Sequence, residues 1–199
     1  MQELYADAGR LLDYSDAFTL VIAVLLSAQT TDAAVNQVTP ELFRRWPDAR
    51  SLANADIDEV AMVIRPTGFF RVKARHAVET ARMIMNDFAG RVPKTMPELM
   101  RLPGVGRKTA NIVLTQAFGA VGGIAVDTHV FRIAHRLHFV GQSADTPDKV
   151  EQALLQIFPQ ELWGKLNHWW VLFGREFCSA QNPRCAICPL ADICQSAVK

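Results

Sequence analysis

Four cysteines constrain this chain more than any other feature. Cys178, Cys185, Cys188 and Cys194 fall within 17 positions in the pattern C-x6-C-x2-C-x5-C, and the other residues of the 199 include no cysteine. Thiols gathered in this way make one short segment close on itself, through disulfides or around a metal centre. Disulfides require an oxidising compartment. No secretory signal points to one: Asp13 and Asp16 precede the strongest apolar run, where a signal peptide carries positive charge. Zinc accepts four thiolates in a tetrahedron, but zinc ribbons use two separated C-x2-C knuckles and this segment has one. An iron–sulfur cluster also takes four thiolates, and its larger cube tolerates uneven loops. The spacing favours the cluster, while ligand type does not separate it from zinc.

The remainder of the chain carries helical spacing. Residues 17–28 are apolar almost all round, which suits a buried helix. In 107–118, Ala110, Val113, Leu114, Ala117 and Phe118 share one face, and Lys108, Asn111 and Thr115 share another. In 127–138, Val130, Ile133, Ala134 and Leu137 form a stripe with Arg132 and Arg136 turned away from it. Segments 57–64, 69–87, 148–158 and 160–174 also read as helices. Pro40 after Thr39 and Pro147 after Thr146 look like caps followed by first turns. No period-2 run of useful length appears, so the spacing predicts an all-α protein. The apolar run from Phe18 to Leu26 falls short of the ~20 residues that a spanning helix needs, and a soluble cytoplasmic chain is expected.

Charge sharpens the question of partners. The chain has 21 Lys and Arg against 20 Asp and Glu, a net of +1. Taken alone, that balance argues against a nucleic-acid partner. It is unevenly distributed, however. Residues 1–60 hold 4 basic and 10 acidic side chains, and residues 61–199 hold 17 and 10. Salt screens charges beyond ~10 Å, so local charge is what a polyanion feels at contact. DNA or RNA binding stays open.

Two segments carry candidate chemistry. Leu102-Pro-Gly-Val-Gly-Arg-Lys-Thr-Ala110 joins a short helix near 96–102 to the helix starting near 107. Gly104 and Gly106 permit a tight turn, and the following helix offers free N–H groups and the positive end of its dipole. That combination suits a phosphate, with Arg107 and Lys108 adding charge. It is not a nucleotide-binding P-loop, because the spacing is absent and no strand precedes it. Lys108 reads either as a phosphate contact or as a nucleophile whose ammonium form the helix end disfavours. Asp127 opens the next helix, Asp-Thr-His-Val-Phe-Arg132. It reads either as an N-cap or as a carboxylate facing positive charge that develops on a sugar.

Together, Leu26-Ser-Ala-Gln-Thr-Thr-Asp32, Leu102–Asn111, Ala125-Val-Asp-Thr-His-Val-Phe-Arg132 and the cysteine set resemble the endonuclease III family of helix-hairpin-helix DNA glycosylases over nearly the whole chain. The resemblance implies two helical domains flanking a DNA-binding cleft: a six-helix domain with the hairpin at 14–120, and a discontinuous iron–sulfur domain formed by 1–13 and 121–199. It implies a 4Fe–4S cluster on Cys178, Cys185, Cys188 and Cys194. Lys108 matches the lysine that attacks the sugar C1′, and Asp127 the carboxylate that assists it. Gln29 matches a residue that fills the gap left by a flipped nucleotide. Phe69 lies where the family places an apolar wedge, and Phe69-Phe70 replaces a more usual aliphatic-aromatic pair. The hairpin, with Arg65, Arg71, Lys73, Arg75 and Arg184, is expected to grip phosphates. The implied function is a bifunctional glycosylase and abasic-site lyase of base excision repair. It would act as a monomer on double-stranded DNA carrying oxidised pyrimidines or abasic sites, in the cytoplasm at the nucleoid. The alternatives are a non-catalytic or weakly active DNA-binding accessory, which would need neither Lys108 nor Asp127, and a monofunctional mismatch glycosylase, whose branch lacks the lysine.

Overall fold

A computed structural model describes residues 1–197. The described residues form ten α-helices and two short 3-10 turns, with no strand among them. They divide into two compact units: Gly9–Ala120, and Met1–Ala8 with the chain from Val121 onward.

In the first unit, helix α1 (Ala17–Leu26) begins at Asp16. The Asp16 carboxylate accepts from the Thr19 amide at 2.8 Å, and the Thr19 hydroxyl oxygen accepts from the Asp16 amide at 3.0 Å. This reciprocal pair is a capping box. Phe18 to Leu26 are all buried, so α1 is a core helix with no polar face. Around it stand α2 (Asp32–Arg45), α5 (Phe70–Asp87) and α7 (Arg107–Phe118), with α3 (Ala49–Ala53), α4 (Ile57–Val63) and α6 (Met96–Leu99) completing the unit. Residues 9–13 belong here because Asn36 clips them down: its Nδ2 donates to the Leu11 carbonyl at 3.1 Å, and its Oδ1 accepts from the Asp13 amide at 3.1 Å.

The structure corrects the reading of Pro40. It does not open a helix; it lies inside α2, whose N-cap is Thr31. Proline removes one helical hydrogen bond and strains the preceding turn. The helix continues because Val35, Val38, Thr39 and Leu42 sit buried on one face on both sides of it. Pro147, by contrast, does open a helix: α9 (Pro147–Ile157) is capped by the Thr146 hydroxyl.

The second unit has its own core around α8 (Thr128–Arg136), α9 and α10 (Gln160–Glu176). Phe139, Phe158 and Trp170 pack as a trio with centroids 5.2 to 5.9 Å apart, within the range of favourable aromatic contact. The Tyr5 hydroxyl donates to the Glu176 carboxylate at 2.8 Å and ties the first residues to the end of α10. Burial and that carboxylate push the Tyr5 phenol up. On α10, burial pushes the His168 imidazole down, and its Nε2 is buried without a hydrogen-bond partner.

Candidate functional site

The hairpin between α6 and α7 is fixed by backbone chemistry. The Val105 amide donates to the Leu102 carbonyl at 3.0 Å, and the Thr80 hydroxyl of α5 donates to the Pro103 carbonyl at 3.0 Å. Gly104 has φ +76°, and a Cβ there would stand 2.7 Å from His76 Nδ1. Only glycine satisfies both constraints. Gly106 is the N-cap of α7 in extended conformation, with no side-chain cap and no neighbour within 4 Å of a built Cβ. The first-turn N–H groups of α7 therefore have no cap from that side chain. Arg107 and Lys108 occupy this first turn and are both half-buried. Asn111, read from spacing as part of a polar face with Lys108, is instead 2% exposed. The helix lies deeper in its unit than an amphipathic stripe implies.

Asp127 is the N-cap of α8. Its Oδ1 accepts from the His129 amide at 2.8 Å and the Val130 amide at 2.9 Å. Both capping bonds use the same oxygen, so the cap does not engage Oδ2. Capping and a second role for the carboxylate are compatible.

Two loops of the first unit carry Gln29 and Phe69. Gln29 lies between α1 and α2 with φ +53°, and Phe69 precedes α5 with φ +47°. Both are exposed, Phe69 by 68%. Positive φ is uncommon for residues other than glycine. An exposed phenylalanine in that conformation gains nothing from burial in its own unit.

Lys73 requires a correction. It was expected to grip phosphate, yet it is 5% exposed. Its ammonium donates to the Thr67 carbonyl at 2.7 Å and the Thr30 hydroxyl at 2.5 Å. Lys73 continues the buried stripe Ala74, Ala77, Val78, Ala81 and Ile84 of α5. A lysine four residues before Ala77 on that stripe was the overlooked signal. Arg65, Arg71 and Arg75 remain exposed.

The four cysteines are each half-buried, and no disulfide joins them. They line a single cavity of about 190 Å³ together with Phe173, Phe177 and Leu190. Zinc gathers all four thiolates around one centre at about 2.3 Å, whereas a four-iron cube binds each thiolate to a different iron and so holds them further apart. The donor set and the cavity fit the cube.

Two arginines of α8 hold the approach to the first cysteine. Arg132 donates to the Cys178 carbonyl from Nε at 3.0 Å and Nη2 at 2.8 Å. Arg136 donates to Cys178 Sγ at 3.3 Å, the Ser179 carbonyl at 2.7 Å and the Ala180 carbonyl at 3.0 Å. The sequence pattern shows these arginines only as turned away from the apolar stripe. Arg132 also meets His129 Nδ1 at 3.0 Å. A Cβ at Gly174 of α10 would stand 2.5 Å from that nitrogen, so this helix contact excludes a side chain. Arg184 is exposed and precedes the 3-10 turn Cys185–Ile187.

Residues 22–160 match the family of HhH-GPD superfamily base excision DNA repair proteins. Residues 178–194 match the iron–sulfur binding domain of endonuclease III, a span that begins and ends on cluster-segment cysteines. The chain is 45% identical to endonuclease III of Synechocystis sp. over 197 residues, covering 99% of this chain and 89% of the relative. It is 42% identical to that of Bacillus subtilis over the same shares. Its fold is similar to an endonuclease III solved as a trapped covalent intermediate with DNA, with a TM-score of 0.93 and 42% identity over 98% of this chain and 91% of the other. On these grounds, and with its all-helical fold and its cysteine-lined cavity, the chain belongs to the endonuclease III family of base excision DNA repair proteins, whose cofactor is a 4Fe–4S cluster.

Proposed function

We propose that Lys108 and Asp127 carry the chemistry of a bifunctional DNA glycosylase and abasic-site lyase that acts on oxidised pyrimidines in duplex DNA. The observation that carries this reading is Lys108 itself. An amine stands in the first turn of the helix after the hairpin, in a family with a member caught covalently on DNA.

The Lys108 amine attacks C1′ of the damaged nucleotide. The bond from C1′ to the base breaks, and the base leaves with its electron pair and takes up a proton. The C1′–O4′ bond of the resulting aminal then breaks, O4′ leaves with its electron pair and takes up a proton to become the C4′ hydroxyl, and an iminium forms between Nζ and C1′. That cation acidifies C2′; loss of its proton expels the 3′ phosphate oxygen and cleaves the strand. Water then releases the sugar and restores the amine. The Asp127 carboxylate stabilises the cationic sugar and accepts the proton that the lysine sheds. Gln29 and Phe69 fill the gap left by the flipped nucleotide; flipping costs a few kcal/mol, less at a lesion that already weakens pairing. Gly104, Gly106 and Arg107 hold phosphate at the N-terminus of α7, and Arg184 adds a contact from the cluster segment. Cys178, Cys185, Cys188 and Cys194 hold the cluster, which supplies a rigid cross-link for the C-terminal loop. The enzyme works as a monomer in the cytoplasm, at the nucleoid.

Borohydride trapping on abasic-site duplex tests the assignment. The wild-type protein is expected to form a covalent complex, and Lys108→Ala to form none. An undiminished adduct in Lys108→Ala would move the nucleophile elsewhere.

A further inference from the structure

Lys73 is a buried cation that the proposed chemistry does not use. Its Nζ bonds to the Thr30 hydroxyl and the Thr67 carbonyl. The Thr30 hydroxyl itself donates to the same Thr67 carbonyl. Three groups thus close a triangle between two loops: Ser27–Thr31, which follows α1, and Arg65–Phe69, which precedes α5. Among the described residues no carboxylate pairs with Lys73. Burial without a counter-charge pushes its ammonium below the ordinary lysine range. Burying a charge among neutral partners carries a desolvation cost, so stability alone does not account for an ammonium at this position.

The position of the triangle supplies another reason. Gln29 is the residue before Thr30, and Phe69 stands two residues after Thr67. Both carry positive φ and both are exposed. Such backbone persists only where the surroundings over-determine it. The Lys73 backbone amide donates to the Phe69 carbonyl at 3.1 Å as the first helical bond of α5, which sets the side chain one turn beyond Phe69. Thr67 is fixed in turn by its hydroxyl, which donates to the Ile64 carbonyl at 2.8 Å.

We propose that Lys73 is a positioning residue that locks the Gln29 loop to the Phe69 loop, so that both side chains enter the duplex as one preset pair. The inference rests on the reading of Gln29 and Phe69 as gap-filling residues. Lys73 touches no DNA; it acts through the two loops.

The test compares the full-length wild-type protein with Lys73→Met, Thr30→Val and the double variant, using abasic sites in duplex and in single-stranded DNA. In the duplex, 2-aminopurine opposite the abasic site reports unstacking. Lys73→Met is expected to melt at or above the wild-type temperature. Its kcat/KM on duplex is expected to fall roughly 10- to 100-fold, the scale of a small misplacement, with the 2-aminopurine rise reduced. Its rate on single strands, where no gap needs filling, stays within about twofold. The double variant loses no more than the larger single loss, as members of one unit do. Duplex activity within twofold of wild type in both Lys73→Met and Thr30→Val would overturn the proposal, as would equal losses on duplex and single strands. If Lys73→Met does not fold, Thr30→Val alone decides between these outcomes. Gln29→Ala and Phe69→Ala on the same duplex test the underlying reading separately: full activity in both removes the gap-filling roles whatever Lys73 does.

Discussion

A single oxygen of Asp127 does the capping. Both capping bonds fall on Oδ1, which leaves Oδ2 for the proposed stabilisation of the sugar. Asparagine caps helices about as well as aspartate, but it cannot carry the negative charge. Asp127→Asn is therefore expected to unfold within about 1 kcal/mol of wild type, while its single-turnover rate on damaged duplex falls by roughly 10²-fold or more. Denaturation midpoints and quenched-flow product formation check the two halves independently. A variant with full rate would reduce Asp127 to a cap. The sequence exposed Asp127 because Asp-Thr-His precedes an apolar stripe, but which oxygen does the capping is a matter of coordinates. Lys73 is the opposite case. As one basic residue among several near Gly68 it reads as surface charge, and only packing shows that it continues the buried stripe of α5.

Among the elements, α8 has the widest duties. Its N-terminus presents Asp127, its apolar stripe Val130, Ile133 and Ala134 enters the core, and its other side holds the cluster segment through Arg132 and Arg136. The same helix therefore couples the carboxylate to the cysteine loop. Arg136→Met removes three donated bonds, one of them to a cysteine sulfur. It is expected to destabilise the protein by about 2 kcal/mol or more. It should also speed the loss of the cluster's visible absorbance under oxidants. Bleaching at the wild-type rate would show that the cysteine loop stands without this brace. Elsewhere, α7 was legible from its period-3.6 spacing, and α1 from a continuous apolar run that starts just after Asp16. Helix α2 was obscured by Pro40, whose local cost is outweighed by the buried residues flanking it.

Over the whole molecule, the charge balance takes a different form from the one along the chain. Residues 1–60 are acidic and 61–199 basic, but the compact units cut across that division. Gly9–Ala120 holds 14 basic and 11 acidic side chains, and the other unit, including the C-terminal residues, holds 7 and 9. The basic surplus is small in the unit with the hairpin and the two loops, and absent from the other. In the proposed reading, exposed Arg65, Arg71, Arg75 and Arg184, with half-buried Arg107, are the residues that meet phosphates. Five such contacts limit the slope of log K against log salt to about −4.5 for duplex DNA. Undamaged duplex is expected to bind more weakly at moderate salt than it does to a strongly basic relative. Fluorescence anisotropy across a salt series checks both. A markedly steeper slope would show that further cations reach the backbone.

The sequence by itself determined the helical class, the hairpin with its lysine, the capping aspartate and the cysteine set. Each of these is written in local spacing, because helical period, turn residues and ligand intervals act over a few positions of the chain. Tertiary structure alone decided that α2 runs through Pro40, that Asn111 and Lys73 are buried, and that Arg132 and Arg136 hold the approach to Cys178. It also decided that one ammonium joins the loops of Gln29 and Phe69, with Thr30 and Lys73 separated by 43 positions. Such contacts depend on desolvation and on hydrogen bonds between segments distant in sequence. No local pattern encodes them, because the partner that offsets the cost of burying a charge is supplied only when the segments meet.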